Sequence, residues 1–135
     1  MLLDPDISIE KLIRIGLEGS GFKGDYDAVV GDLSFYVREL ERWNRKINLT
    51  GKRSGREIVV DLLFDAFFLY HHVARGIRSV LDMGSGAGVI GIPLAILDRA
   101  LRVVSVYATA KKIHFQRHVK RTLLLDNFTP LAARI

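Results

Sequence analysis

The stretch Ser79-Val-Leu-Asp-Met-Gly-Ser-Gly-Ala-Gly-Val-Ile-Gly-Ile-Pro93 constrains the fold of this chain more than any other segment. Val80 and Leu81 suit a buried parallel strand, Asp82 stands at its carboxyl end, and helical sequence resumes after the glycines. The pattern predicts a strand, a loop and a helix in succession. Because open α/β sheets bind ligands at the carboxyl ends of their strands, this loop is a candidate binding site.

Gly84, Gly86 and Gly88 supply positive φ and let a ligand approach the backbone. Their order after Asp82 resembles the first motif of class I S-adenosylmethionine methyltransferases, in which the acid serves the methionine amino end. The segment Gly86–Gly91 also fits the GxGxxG motif of dinucleotide-binding proteins. A match to this motif alone is a weak signal. A turn that only packs a strand against a helix is the alternative, but a carboxylate at a strand end then needs another partner.

Composition restricts the class of protein. The chain has 135 residues, 49% of them hydrophobic, which is enough for one domain or a domain with a small lobe. No apolar run reaches about 18 residues, and the segment 1–6 carries acids where a signal peptide needs bases. Because there is no cysteine, disulfides and thiolate metal sites are excluded. We expect a cytoplasmic protein with neither a membrane nor a metal partner.

The net charge of +5 is unevenly distributed. Residues 1–75 hold 12 acids and 11 bases, whereas residues 76–135 hold 3 acids and 9 bases. This asymmetry favours a polyanionic partner for the second half of the chain. Nucleic acid is favoured over a membrane surface, because no strongly amphipathic basic helix with an aromatic face accompanies the charge.

The first part of the chain predicts three helices. Ser8 can cap the first, the second begins near Asp25, and the capping box Ser54–Glu57 begins a third that runs to about Ala74. The second helix carries one apolar stripe, typical of a core face. Its members are Val29, Val30, Leu33, Tyr36, Val37, Leu40 and Trp43.

The second part predicts β-α-β-α-β with parallel strands. The strand before the glycines is followed by a helix containing Pro93, a strand over Leu101–Tyr107, a helix capped by Thr109 that runs to about Leu125, and a strand over Leu131–Ile135. The predicted fold class is therefore α/β. Residues 1–75 form a helical amino-terminal lobe, and residues 76–135 form the first half of a parallel-sheet domain.

Several motifs together resemble one family, the bacterial small-subunit (16S) ribosomal RNA guanine-N7 methyltransferases, also called glucose-inhibited division protein B. The resemblance covers residues 32–135. It implies a Rossmann-like class I fold and transfer of a methyl group from S-adenosylmethionine to guanine N7 of small-subunit ribosomal RNA. The chain then resembles the amino-terminal part of such an enzyme. The motifs are Trp43–Thr50, the helix around Asp65, Leu81–Gly88, Gly91–Ala95 and Lys111–Phe115.

The resemblance also implies roles for individual residues, but no catalytic side chain, because guanine N7 attacks with a free lone pair. Tyr107 occupies the end of the second strand, where the family has an acid whose carboxylate bonds both ribose hydroxyls. The phenol of Tyr107 offers only one oxygen for such bonds. The residues that would line the methionine and ribose side of S-adenosylmethionine are Asp82, Gly84, Ser85, Gly86 and Gly88. Lys111 and Arg134 match basic family positions at the substrate face.

The residues themselves support an RNA-binding face on the helix after Thr109. Lys111, Lys112 and Arg117 follow one another with no acid between them, a pattern that can contact several phosphates. A solvated helix surface remains an alternative. His114 and His118 are not expected to bind zinc, because the surrounding positive charge opposes a cation.

The sequence is also compatible with two other functions. The chain can be a non-catalytic RNA-binding module, or a nicotinamide-dinucleotide-binding protein. The second of these also requires an acid at the end of the second strand, where this chain has Tyr107. A sheet of three strands further exposes an edge, through which the chain can associate with a second copy.

Overall fold

The computed structural model describes residues 4–73 and 75–134. A helical amino-terminal part is followed by alternating strands and helices, which confirms the predicted α/β class. In chain order the elements are α1 (Ile9–Glu18), α2 (Tyr26–Asn44), α3 (Gly55–Ile58), a π-helical segment (Val59–Leu63), α4 (Phe64–Val73), β1 (Ser79–Met83), α5 (Gly91–Leu97), β2 (Arg102–Tyr107), α6 (Ala110–Leu123) and β3 (Phe128–Ala132).

Side-chain caps explain where the first helices begin. The Ser8 hydroxyl accepts from a backbone N–H of α1, the Asp25 carboxylate does the same for α2, and the Ser54 hydroxyl for α3. These three starts were predicted and are confirmed. The third predicted helix is interrupted by the π-helical segment, and its expected end at Ala74 lies outside the described residues.

The sheet is parallel with strand order β1-β2-β3. The predicted start of the last strand was wrong. The sequence indicated Leu131, but β3 begins at Phe128. Phe128 and Pro130 are buried against the helices. A proline is typical of a turn, but an edge strand tolerates it. The last residue of the predicted strand, Ile135, lies outside the described residues.

One hydrophobic core contains side chains from both parts of the chain. On α2, the predicted stripe is buried except for Trp43, which is half-buried, and the ring of Tyr36 lies 6.2 Å from that of Phe115 on α6. The helices α5 and α6 cover one face of the sheet. The division into lobes at residue 75 stays a prediction, since the two parts share this core.

The other face of the sheet is open to solvent. Leu81 is 59% exposed, Met83 54% and Leu131 45%. The expectation that Leu81 is buried was therefore wrong, because β1 is an edge strand and the described chain covers only one face of the sheet. Among residues 4–73 and 75–134, no helix has both the length and the apolar character needed to cross a membrane.

Candidate functional site

The turn between β1 and α5 leaves part of its backbone open. Gly84, Gly86 and Gly88 adopt φ values of +75°, +59° and +76°. A Cβ atom on Gly84 or Gly86 would meet no atom within 4 Å, whereas one on Gly88 would lie 2.7 Å from Ile92 Cδ1. The first two glycines therefore leave room for a ligand beside the backbone, and the third allows close packing of α5.

The same turn is anchored to the sheet and to α6. The N–H groups of Gly84 and Ser85 donate to the Val106 carbonyl oxygen over 2.9 and 3.1 Å. Ser85 is only 4% exposed, and its hydroxyl accepts from Gln116 Nε2 over 2.9 Å. The hydroxyl of this predicted site residue is thus directed toward α6 and away from the open edge.

Gln116 is a functional candidate that sequence reasoning missed. Its side chain is fully buried, donates to the Gly86 carbonyl oxygen over 2.6 Å and accepts from the Ser105 hydroxyl over 2.7 Å. It therefore connects the glycine turn, β2 and α6. Its spacing from Ile113 and Val119, three residues on either side, places this amide on the buried face of α6 and was the available signal.

Asp82 lies beneath the turn and is half-buried. Its Oδ2 accepts from the N–H of Gly91, the first residue of α5, over 3.2 Å. Burial raises the pKa of the Asp82 carboxyl group, and the hydrogen bond from Gly91 opposes that rise. A cation at this position would stabilise the charged form of the carboxylate.

Tyr36 connects the helical part to the turn. Its ring is fully buried, and its hydroxyl donates to the Ala87 carbonyl oxygen over 3.1 Å. Burial and the nearby charge of Asp82 raise the pKa of Tyr36, so that its hydroxyl stays protonated as a donor. The sequence predicted Tyr36 as a core residue, but its contact with a loop 51 positions away has no local signature.

Tyr107 ends β2 next to the glycine turn and is half-buried. Lys112 Nζ lies 3.5 Å from the Tyr107 hydroxyl and 5.1 Å from the centre of its ring. The structure thus brings together a residue predicted for the cofactor and one predicted for RNA. A phenol beside a lysine offers one hydrogen-bonding oxygen at this strand end.

A concave surface, which we call the basic groove, lies between the end of α2 and the start of α6 and has a volume of about 860 Å³. Its lining residues are Arg42, Trp43, Lys46, Ile47, Ala110, Lys111, His114 and Arg117. The predicted RNA-binding residues Lys111 and Arg117 meet here. Arg134 does not line the groove and is exposed beyond the end of β3. The sequence predicted Trp43 as a core residue and placed it at the start of the Trp43–Thr50 motif, but it did not predict this groove.

His118 contacts Glu39 and Trp43. Its Nε2 lies 2.7 Å from Glu39 Oε1, and its ring stacks on Trp43 with ring centres 5.0 Å apart. Among residues 4–73 and 75–134, no group of three or more histidine, cysteine, aspartate or glutamate side chains could hold a metal ion.

Sequence comparisons point to one group of proteins. A family model described as rRNA small subunit methyltransferase G matches residues 30–135. A ribosomal RNA small subunit methyltransferase G from Geobacter metallireducens is 46% identical over 129 residues, which cover 96% of this chain and 56% of the relative. The protein of that name from Syntrophotalea carbinolica is 40% identical over 126 residues. This match covers 93% of this chain and 55% of the relative. The chain spans little more than half the length of these relatives.

Comparison with solved structures supports the fold. The crystal structure of coclaurine N-methyltransferase bound to N-methylheliamine and SAH superposes with a TM-score of 0.51 at 21% identity. The match covers 93% of this chain and 43% of that protein. The predicted Rossmann-like fold is confirmed, since the structural likeness extends over 93% of this chain.

Proposed function

This chain belongs to the family of ribosomal RNA small subunit methyltransferase G, and on that basis we propose that it forms the cofactor-binding part of such an enzyme. Its cofactor is S-adenosylmethionine, and its substrate is guanine N7 of small-subunit ribosomal RNA. The observation that carries the proposal is the open backbone at Gly84 and Gly86 beside the half-buried carboxylate of Asp82.

The residues of the turn fit the methionine end of this cofactor. Asp82 would accept a hydrogen bond from the ammonium group, whose positive charge would offset the cost that burial places on the charged carboxylate. The backbone from Gly84 through Ser85 and Gly86 borders the methionine and ribose, and Gly88 lets α5 begin close behind it.

Tyr107 fits the ribose less well than an acid would. Its single oxygen would be available to one ribose hydroxyl, and Lys112 beside it supplies a positive charge. Charge-assisted hydrogen bonds contribute roughly 1.5–3 kcal/mol each, so their loss lowers affinity by about one to two powers of ten per bond. We therefore expect weaker cofactor binding than an acid at this position would give.

Bound S-adenosylmethionine supplies an electrophilic methyl group on its sulfonium. Guanine N7 has a free lone pair and no proton to remove, so the chain is required to bind and orient the two reactants. No side chain is assigned a catalytic role. Among the described residues, Asp82 and the glycine turn hold the cofactor at the carboxyl edge of the sheet.

The substrate is held by positive charge. Lys111, Lys112, Arg117 and Arg134 contact phosphates of small-subunit ribosomal RNA, which makes binding dependent on salt. Family membership favours S-adenosylmethionine over a nicotinamide cofactor. A ribosomal RNA substrate also agrees with the cytoplasmic location expected from the sequence. A non-catalytic RNA-binding module is the second candidate, favoured by the basic groove.

A methyl-transfer assay tests the proposal. Small ribosomal subunits that lack the modification are incubated with the chain and S-adenosylmethionine carrying a labelled methyl group, and the nucleosides are then separated. We expect label in 7-methylguanosine, and its loss in Asp82→Ala but not in the exposed Asp126→Ala. Label in any other nucleoside contradicts the proposal, and RNA binding without transfer favours the non-catalytic module.

A further inference from the structure

We propose that the basic groove binds an unpaired stretch of RNA, with one base against Trp43 and the neighbouring phosphates on the basic side chains. This inference rests on the proposed function and deepens it, because it assigns a single-stranded segment of the substrate to a defined surface. It also gives a role to Trp43, Lys46 and Ile47, which cofactor binding does not use.

The charge of the groove fits a polyanion. Four of its lining residues are lysine or arginine, and none is an acid. Arg42 is held by two hydrogen bonds to Glu39, of 2.8 and 2.9 Å. Within the part of the chain that the structure describes, Lys46, Lys111 and Arg117 form no ion pair. Their charges are therefore available to phosphates.

Trp43 is held in a fixed orientation at the wall of the groove. Its ring packs edge-on against Phe115, with centres 5.3 Å apart, and stacks on His118. His118 is itself positioned by Glu39, a buried residue whose carboxyl pKa is lowered mainly by Arg42. A rigid aromatic ring among cationic side chains is typical of surfaces that recognise single-stranded RNA by stacking.

The segment after α2 shapes the rim of the groove. Asn44 Oδ1 accepts from the N–H groups of Leu49 and Thr50 over 2.6 and 2.8 Å, and its Nδ2 donates to the Lys52 carbonyl oxygen over 3.1 Å. These bonds reverse the chain directly after the helix. Lys46 and Ile47 of the Trp43–Thr50 motif are thereby held beside α6.

The groove continues toward the cofactor edge. A smaller cavity of about 320 Å³ shares Lys46, Ile47 and Lys111 with it, and it is also lined by Lys112. Because Lys112 contacts Tyr107 at the end of β2, an RNA strand that follows both cavities leads to the carboxyl ends of the strands. A base in the groove thus directs a neighbouring nucleotide toward the proposed cofactor site.

Fluorescence tests the inference directly, because Trp43 is the only tryptophan of the chain. The probe is an oligoadenylate of about ten nucleotides, within the usual range of single-strand sites. We expect saturable quenching of the indole emission, with affinity that falls as salt rises. Lys46→Ala and Lys111→Ala should each reduce the magnitude of the slope of log affinity against log salt by about 0.7, the value for one phosphate contact on a single strand. The exposed Lys11→Ala on α1, outside the groove, should leave it unchanged.

A second variant separates stacking from charge. Trp43→Leu keeps an apolar side chain against Phe115 but removes the aromatic face, and binding is followed by anisotropy of end-labelled oligoadenylate. Base stacking contributes about 1–3 kcal/mol per base, so we expect a loss of affinity of roughly 5- to 150-fold. Thermal unfolding followed by circular dichroism checks that the variant folds.

The outcomes distinguish this inference from the function on which it rests. RNA binding without quenching, and unchanged by the groove substitutions, would show that RNA lies elsewhere and would overturn the inference alone. A folded chain that binds S-adenosylmethionine but no oligoadenylate would overturn it as well. If the folded chain bound neither, the proposed function would fail together with the groove.

Discussion

At the residue scale, Asp82 couples stability to ligand binding. Its carboxyl group is half-buried, and its pKa is raised by burial despite the hydrogen bond from Gly91. A carboxyl group whose pKa is higher in the folded state contributes stability below its unfolded pKa, and this contribution is lost as pH rises through the folded pKa. At neutral pH the charged side chain is therefore a cost to the fold in the absence of a cationic partner.

Replacing Asp82 by asparagine should reveal that cost. Asp82→Asn keeps an oxygen that can accept from the Gly91 N–H but carries no charge, so we expect the variant to be more stable than the parent chain at neutral pH. The difference should shrink as pH falls through the raised pKa of Asp82, and it should be gone below the ordinary pKa of aspartate, about 3.9. Urea unfolding at a series of pH values measures it. A stability difference that is the same at every pH, or equally present in the exposed Asp126→Asn, contradicts the account.

At the element scale, α6 has two faces with different roles. Its outward face carries Lys111 and Arg117 of the basic groove, and its inward face carries Gln116 under the glycine turn. The side chains proposed to bind phosphate and the side chain that supports the turn therefore lie on one helix. A change on the inward face should affect the proposed cofactor site and leave the basic groove unchanged.

Gln116→Leu tests that division. The substitution keeps side-chain volume but leaves the Ser85 and Ser105 hydroxyls and the Gly86 carbonyl without their partner. A buried polar group left unsatisfied costs about 1–3 kcal/mol, so we expect a clear fall in the free energy of unfolding and weaker cofactor binding. Thr122→Val, on an exposed position of the same helix, is the control for side-chain change. Unchanged stability in Gln116→Leu would show that these bonds contribute little.

The elements that the sequence predicted are those with local signals. Helix starts were predicted from the capping residues Ser8, Asp25 and Ser54. The glycine pattern predicted a strand, a loop and a helix in succession. The start of β3 was missed because Pro130 resembles a turn residue, and only its place in an edge strand makes it acceptable. The bonds of Tyr36 and Gln116 to the turn join positions 30 or more residues apart. Such contacts leave no periodic pattern, so they required the structure.

At the scale of the whole molecule, one core joins the helical part to the sheet. The 19-residue helix α2 contacts the glycine turn through Tyr36 and forms the basic groove at its carboxyl end with Trp43. The proposed RNA site and cofactor site are therefore connected through one continuous helix. A rigid element of this kind fixes the distance between the two sites.

The open face of the sheet predicts self-association of this chain. The strand register places Met83, Val106 and Leu131 in one row, next to the exposed Leu81. Fully burying one such side chain stabilises an interface by about 1.5–3 kcal/mol. We expect sedimentation velocity to show concentration-dependent dimers, and Leu81→Thr to shift them toward monomer. Leu124→Asn, which removes an exposed leucine outside the sheet, should not do so. A parent chain that stays monomeric at every concentration contradicts this prediction.

Calorimetric titration with S-adenosylmethionine tests most directly whether the carboxyl ends of β1 and β2 form a cofactor site. The parent chain, Tyr107→Glu and the neutral control Tyr107→Gln are compared, with circular dichroism to confirm that each is folded. We expect saturable binding by the parent. We also expect affinity about ten- to a hundredfold higher in Tyr107→Glu, because a carboxylate adds a charge-assisted bond to the ribose that glutamine cannot match. Absence of binding heat from both the folded parent and the folded Tyr107→Glu would contradict these expectations.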